Sequence, residues 1–216
     1  MSTSTPKKKR GALIAIEGLD RAGKSTQCQL LMERLAERNI PAHLQKFPDR
    51  ATPIGKMINA YLSTSAALED HTIHLLFSAN RWELSAHILQ LLNDGVTVVL
   101  DRYVYSGIVF SAAKGLSLEY CRAPDVGLPG ADVVLFLDLD AEVAAQRGGF
   151  GGERYEVQEV QGRVRGLFNV VGEREGEGRW RVVDAGGSLE EVREVVWGVV
   201  EKVVEEVGGK EVGRFE

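Results

Sequence analysis

The chain has 216 residues, 44% of them apolar and 26% charged, a balance that suits one globular domain with a full core and excludes a disordered or fibrous chain. Its formal net charge of -5 excludes the basic footprint of a general nucleic-acid binder, so any polyanion it handles must meet a local basic site. With no run of about 18 apolar residues, nothing is expected to span a membrane, and two distant cysteines, Cys28 and Cys121, without an apolar leader suit a reducing, cytoplasmic compartment.

Residues 1–10 end in Lys7, Lys8, Lys9 and Arg10 and read as a disordered basic tail, either a nuclear-import signal or a solvated arm. Beyond it, apolar runs alternate with segments of helical period, the pattern of an α/β chain with a five-stranded parallel sheet and helices on both faces. The first strand is Ala12 to Glu17. A helix over Gly23 to Arg38 follows, with Leu30, Leu31 and Leu35 on one face. The second strand is Ala42 to Phe47. Asp70 to Leu92 reads as a long helix with Ile73, Leu76, Phe77, Leu84, Ile88 and Leu91 spaced at threes and fours. Strands at Thr97 to Asp101 and Val133 to Asp138 come next. A helix over Glu156 to Val171 then carries an apolar stripe that Gly162 and Gly166 weaken by up to about 1 kcal/mol each. After a strand at Trp180 to Val183, Ser188 and Glu191 form a capping box for a last, Val-rich helix. Residues 208–216 are expected to be a flexible end, and residues 11–207 a single domain.

Gly18-Leu19-Asp20-Arg21-Ala22-Gly23-Lys24-Ser25, followed by Thr26, matches G-x-x-x-x-G-K-[ST] between a strand and an amphipathic helix, the context that a P-loop requires. Backbone N–H groups and the helix N-terminus would cradle phosphate, Lys24 would reach the β and γ phosphates, and the Ser25 hydroxyl is placed for Mg2+. Arg21 inside the loop reads as an arginine finger supplied in cis, and Asp20, which phosphate would repel, should turn to a sugar hydroxyl. The bland reading of these two residues is a surface ion pair. The strand Thr97 to Asp101 delivers Asp101 and Arg102 to the carboxyl edge of the sheet, where open α/β sheets bind ligands. There Asp101 would hold the metal, and Arg102 would bridge two phosphates.

With Phe47-Pro48-Asp49-Arg50, the run His74 to Glu83, Asp101-Arg102-Tyr103 and Pro124 to Pro129 following the P-loop in order, residues 11–185 resemble thymidylate kinase of the eukaryotic type. The resemblance implies a P-loop nucleoside monophosphate kinase domain, MgATP as donor, dTMP as acceptor, dTDP as product, and a homodimer packed through helices. Carried over by position, it implies that Arg50 and Arg102 grip the acceptor phosphate, Phe77 stacks on thymine and Arg81 bonds the base carbonyl. Asp20 would meet the 3′-hydroxyl and Phe110 would crowd the 2′ position, while Phe47, Ser106, Gly107 and Tyr155 complete the pocket. The Gly-rich stretch 147–156 resembles the family's LID, which puts Arg147 and Arg154 at adenine or at loop order and leaves the catalytic arginine to Arg21. Asp184 to Ser188 would be the adenine-side loop. Tyr105 departs from the Phe of the family's D-R-Y-x-F-S-G pattern and is expected to add a water contact.

Residue chemistry supports the acceptor site independently. Phe77 and Arg81 are four apart and project from one helix face. Arg81 only donates hydrogen bonds, so it satisfies O4 of thymine and not the amino group of cytosine. A deoxynucleoside kinase would instead need a carboxylate base, for which Glu17 and Asp49 are candidates. A GTP-dependent switch could use Asp184-Ala-Gly-Gly187 as D-x-x-G, although that motif falls late and no N-K-x-D accompanies it. His43, His71, His74 and His87 have no evident catalytic partner and read as structural or exposed.

Overall fold

A computed structural model describes residues 9–146, 154–155 and 157–216. Lys7, Lys8, Arg147 and most of the proposed LID lie outside the described residues. Five strands form one parallel sheet: β1 (Leu13–Gly18), β2 (Ala42–Lys46), β3 (Thr97–Asp101), β4 (Val133–Asp138) and β5 (Trp180–Asp184), ordered β2-β3-β1-β4-β5. Every residue of β1 and β3 is buried, so both faces of the sheet are covered at its centre, and this is why these strands read as unbroken apolar runs rather than alternating ones.

Eight helices are described: α1 (Lys24–Glu37), α2 (Pro53–Leu62), α3 (Asp70–Asn93), α4 (Val104–Ala112), α5 (Leu118–Arg122), α6 (Ala141–Gln146), α7 (Gln158–Glu175) and α8 (Leu189–Val207). They fall into two groups, α1 packing with α8, and α4 with α3, α5 and α7, to which α2 adds on α3 and α6 on α7. The Ser188–Glu191 capping box forms as expected at α8. Sequence periodicity misses α2, which Thr52 caps by accepting from the Gly55 N–H at 2.9 Å. It also misses α4, whose residues Val104 to Ser111 are all buried and therefore carry no polar face to set a period.

Strand order fixes where ligands can bind. The chain leaves β1 toward β2 on one side, whereas from β3 it crosses β1 to β4, so β1 and β3 flank the topological switch point. Their register pairs Ile16 with Asp101, which sets the P-loop beside the Asp101-Arg102 corner.

Arg10 and residues 208–216 depart from the sequence reading, while residues 1–8 lie outside the described residues. Arg10, assigned to the disordered tail, is buried; its guanidinium makes a two-pronged ion pair with Asp132 at 2.7 and 2.8 Å and donates to the Lys210 carbonyl at 2.8 Å. Residues 208–216, expected to be flexible, are anchored by Phe215, 2% exposed, whose backbone exchanges hydrogen bonds with Gly127 and Leu128. A carboxylate far away in sequence and a lone aromatic after a Gly-rich stretch are invisible to a local reading.

Candidate active site

The loop from Gly18 to Lys24 closes around positive-φ residues: Gly18 at 150°, Arg21 at 65° and Gly23 at 92°. Glycine adopts this region freely, whereas an arginine held there stores of order 1–3 kcal/mol, a cost that collects at functional sites. Gly23 precedes α1 without a side-chain cap, which leaves helix N–H groups available to an anion. Lys24 is buried, and its ammonium donates to the Leu19 carbonyl. Burial, reinforced by the like charge of Arg102, brings its pKa down to about 7, so an incoming phosphate would restore its proton. Arg21 is exposed at the loop's rim.

At the end of β3, the Ser25 hydroxyl donates to Asp101 Oδ2 at 2.5 Å, and Lys46 Nζ lies 3.4 Å from Ser25 Oγ and 3.6 Å from Asp101 Oδ2. Lys46 was not singled out from sequence. Arg102, also left-handed at φ 68°, donates through one nitrogen to the Gly18 carbonyl at 3.1 Å and to Ser106 Oγ at 3.0 Å, and pairs with Asp20 through the other. Asp20 is thus neither a surface pair nor fully free for a sugar. Its other oxygen accepts from Gln161 Nε2 at 2.7 Å, and its backbone N–H donates to Gln161 Oε1 at 3.0 Å. Burial alone would push the Asp20 carboxyl up, but Arg102, Lys24 and the Gln161 hydrogen bond hold it below the usual range.

Beyond this corner opens a cavity lined by all ten residues proposed for the acceptor: Asp20, Phe47, Arg50, Phe77, Arg81, Arg102, Ser106, Gly107, Phe110 and Tyr155. Arg50 donates to Asn59 Oδ1 at 2.8 Å. Its loop is clamped by Asn80, which accepts from the Asp49 N–H at 2.8 Å and donates to Thr52 Oγ1 at 3.0 Å. The Phe110 ring sits between the Arg102 guanidinium, 5.3 Å away, and the Tyr155 ring, also at 5.3 Å. Arg81 is buried and paired with Asp125, a partner to which sequence reasoning gave no role.

Several expectations meet a structural answer. Glu17, offered as a base, is fully buried and accepts from the Tyr103 and Ser106 N–H groups and the Ser106 hydroxyl; burial raises its pKa against those hydrogen bonds. The Asp49 carboxylate accepts from the Ala51 N–H at 3.0 Å. Tyr105 does not line the pocket: its hydroxyl donates to Glu175 Oε2 at 3.3 Å, within a buried group that includes Trp180 and Phe215. Arg154 donates to the carbonyls of Tyr61 and Ala66, both at 2.9 Å, which favours loop order over adenine. Asp184, the start of D-x-x-G, accepts from the Gly186 N–H at 2.8 Å in a local turn. His74 is buried against Ser111 Oγ at 2.8 Å, and burial, with Arg81 nearby, depresses it to about 4, which keeps it neutral.

Comparison with known proteins gives a consistent picture. Residues 16–196 match the family model described as thymidylate kinase. The chain is 52% identical over 199 residues to a thymidylate kinase of Schizosaccharomyces pombe, covering 91% of this chain and 95% of that one. It is 46% identical over 208 residues to a thymidylate kinase of Homo sapiens, with 96% and 98% covered. A solved thymidylate kinase structure from Candida albicans superposes with a TM-score of 0.88 at 42% identity, covering 96% of this chain and 99% of that one.

Proposed function

The chain belongs to the thymidylate kinase family, and from that premise we propose that the cavity beside α3 receives the pyrimidine nucleotide while the P-loop receives ATP. The reaction is transfer of the γ-phosphoryl group of ATP to dTMP, giving ADP and dTDP in nucleotide biosynthesis. The observation that carries the two-site reading is Arg102, one guanidinium in contact with the P-loop at Gly18 and with the cavity wall at Ser106.

The acceptor is an anionic phosphate oxygen, so catalysis needs in-line positioning and cancellation of charge rather than a base. Arg50 and Arg102 hold the acceptor phosphate. Phe77 stacks on the base, Arg81 donates to its O4, Asp20 takes the 3′-hydroxyl and Phe110 crowds the 2′ position. Phe47, Ser106, Gly107 and Tyr155 complete the walls. Lys24 and the loop N–H groups bind the donor phosphates, and Arg21 meets the charge that spreads over the transferring group.

Mg2+ fits the Ser25 and Asp101 pair, two hard oxygen donors of the kind this ion prefers. Among the described residues no cluster of three His, Cys, Asp or Glu side chains could hold a metal unaided, so phosphate oxygens and water would complete the shell. When bound, the ion would neutralise charge on the β and γ phosphates. A homodimer packed through α2 and α3 is supported by the exposure of Met57, Leu75 and Trp82 at 51%, 48% and 41%, and light scattering after gel filtration tests it. No helix among the described residues is long and apolar enough to cross a membrane.

A coupled ADP-release assay against a panel of monophosphates tests the acceptor site, with dTMP expected to be strongly preferred over dCMP. Phosphorylation of thymidine in place of dTMP would overturn the reading.

A further inference from the structure

We infer that Asp125 is a specificity-determining positioning residue, which aims the Arg81 guanidinium so that it rejects a base bearing an amino group; this rests on the reading of Arg81 given above. Asp125 lies in the 3-10 turn Ala123–Asp125 and is fully buried. Its Oδ1 accepts from Arg81 Nε at 3.1 Å, and its Oδ2 from Arg81 Nη2 at 2.6 Å. A side-on, two-pronged pair of this kind fixes the plane and rotation of the guanidinium as well as its position.

The pair is braced from three sides. Ser78, one turn before Arg81 on α3, lies 2.7 Å from Asp125 Oδ1 and 3.0 Å from the Pro124 carbonyl. Trp82 Nε1 donates to the same carbonyl at 2.7 Å. Against the guanidinium lies Gly107: a methyl group added there would fall 2.7 to 3.0 Å from Nη2, Nη1 and Cζ of Arg81. The guanidinium is therefore locked between a carboxylate on one edge and bare backbone on another side, with Nη1 taking no part in the carboxylate pair.

Rigidity is what turns a donor into a filter. A mobile arginine confronted with the amino group of cytosine can swing away and leave its donors to water. A locked one must leave buried N–H groups facing another donor, and the whole desolvation cost then counts against the wrong base. Discrimination thus resides in Asp125 as much as in Arg81, although Asp125 does not line the cavity.

The test is Asp125→Asn, which sets an amide N–H2 against a guanidinium donor. The KM for dTMP should rise about ten- to a hundredfold, as for a lost hydrogen bond to a charged group. The kcat and the KM for ATP should stay within about threefold, and the ratio of kcat/KM for dTMP over dCMP should fall at least tenfold, a readout that general loosening would not move. Adding Asp125→Asn to Arg81→Met should change that ratio no further. Gly107→Ala, which keeps the ion pair and displaces the guanidinium from its other side, should lower the ratio as well and serves if Asp125→Asn fails to fold. An unchanged ratio in the folded Asp125→Asn protein, or in Gly107→Ala if that alone folds, would overturn the inference, as would equal losses for dTMP and ATP. If Arg81→Met itself leaves the ratio unchanged, the assignment of Arg81 to the base fails instead.

Discussion

Replacing Gln161 by Met would test whether the P-loop is held in shape from α7. Gln161 is fully buried, and Met nearly preserves its volume while removing its polarity, so packing changes little. Its amide makes three bonds: Oε1 with the Asp20 N–H, and Nε2 with Asp20 Oδ2 and with the Tyr155 carbonyl at 2.9 Å. The Tyr155 carbonyl also accepts from Val157 N–H at 2.8 Å, so its loss matters little. What remains is a P-loop N–H without its partner and a carboxylate stripped of one donor. Each costs on the order of 1–3 kcal/mol, and because both sit on one residue the sum is less than additive. A loss of about 3 kcal/mol is expected, a large part of a typical 5–15 kcal/mol stability. Urea denaturation measures it, and steady-state kinetics should show a raised KM for dTMP through a misaimed Asp20. A stability change below about 1 kcal/mol with unaltered KM would refute the tether.

Arg21→Ala should lower kcat by about a thousandfold or more while ATP still binds, as for other arginines that act on the transferring phosphoryl; an unchanged kcat removes Arg21 from the mechanism. Lys24 is depressed from 10.5 to about 7, so between these values the unfolded chain holds a proton that the folded protein lacks. Stability of the free protein should therefore rise with pH across that window, less steeply in Lys24→Met, and ATP binding near pH 8 should take up protons, measured by calorimetry in buffers of different ionisation enthalpy. Phe215→Ala should destabilise by about 3–5 kcal/mol in thermal melts, where a freely flexible end would show nothing. Gly162→Ala and Gly166→Ala, at positions where a methyl group meets nothing within 4 Å, should each stabilise α7 by about 0.5–1 kcal/mol, read as a higher Tm.

What the sequence disclosed depended on how local the cause was. The P-loop is eight consecutive residues whose conformation follows from two glycines, and the fully buried strands announce themselves as apolar runs. Phe77 and Arg81 were legible because helical spacing places them together. Asp125 was not: its role depends on a guanidinium 44 residues away, and a lone acid before Val126 has no period. Gln161 hides in the same way, a polar residue on an otherwise apolar stripe whose partner is the P-loop. The Thr52-Pro53 start of α2 was a readable signal that periodicity passed over. For α4 and Phe215, only the tertiary contacts distinguish a core element from a strand or a loose end.

The buried acid beside the P-loop bears on which kind of phosphoryl acceptor the site can serve. A hydroxyl acceptor needs a carboxylate within reach of its proton. Glu17 immediately precedes Gly18, the right neighbourhood for such a base, but three donors from the Tyr103–Ser106 turn already occupy it and it has no exposed surface. Those donors reveal what it does instead. It satisfies N–H groups at the start of α4 and fixes the Ser106 hydroxyl, whose oxygen in turn accepts from Arg102. Arg102 then reaches back to the Gly18 carbonyl, closing a ring that runs from β1 through α4 to the corner of β3. A carboxylate used as a strut for a guanidinium serves an acceptor that arrives already charged. The same chain of contacts keeps Arg102 in its left-handed conformation and holds its guanidinium between the P-loop at Gly18 and the cavity wall at Ser106.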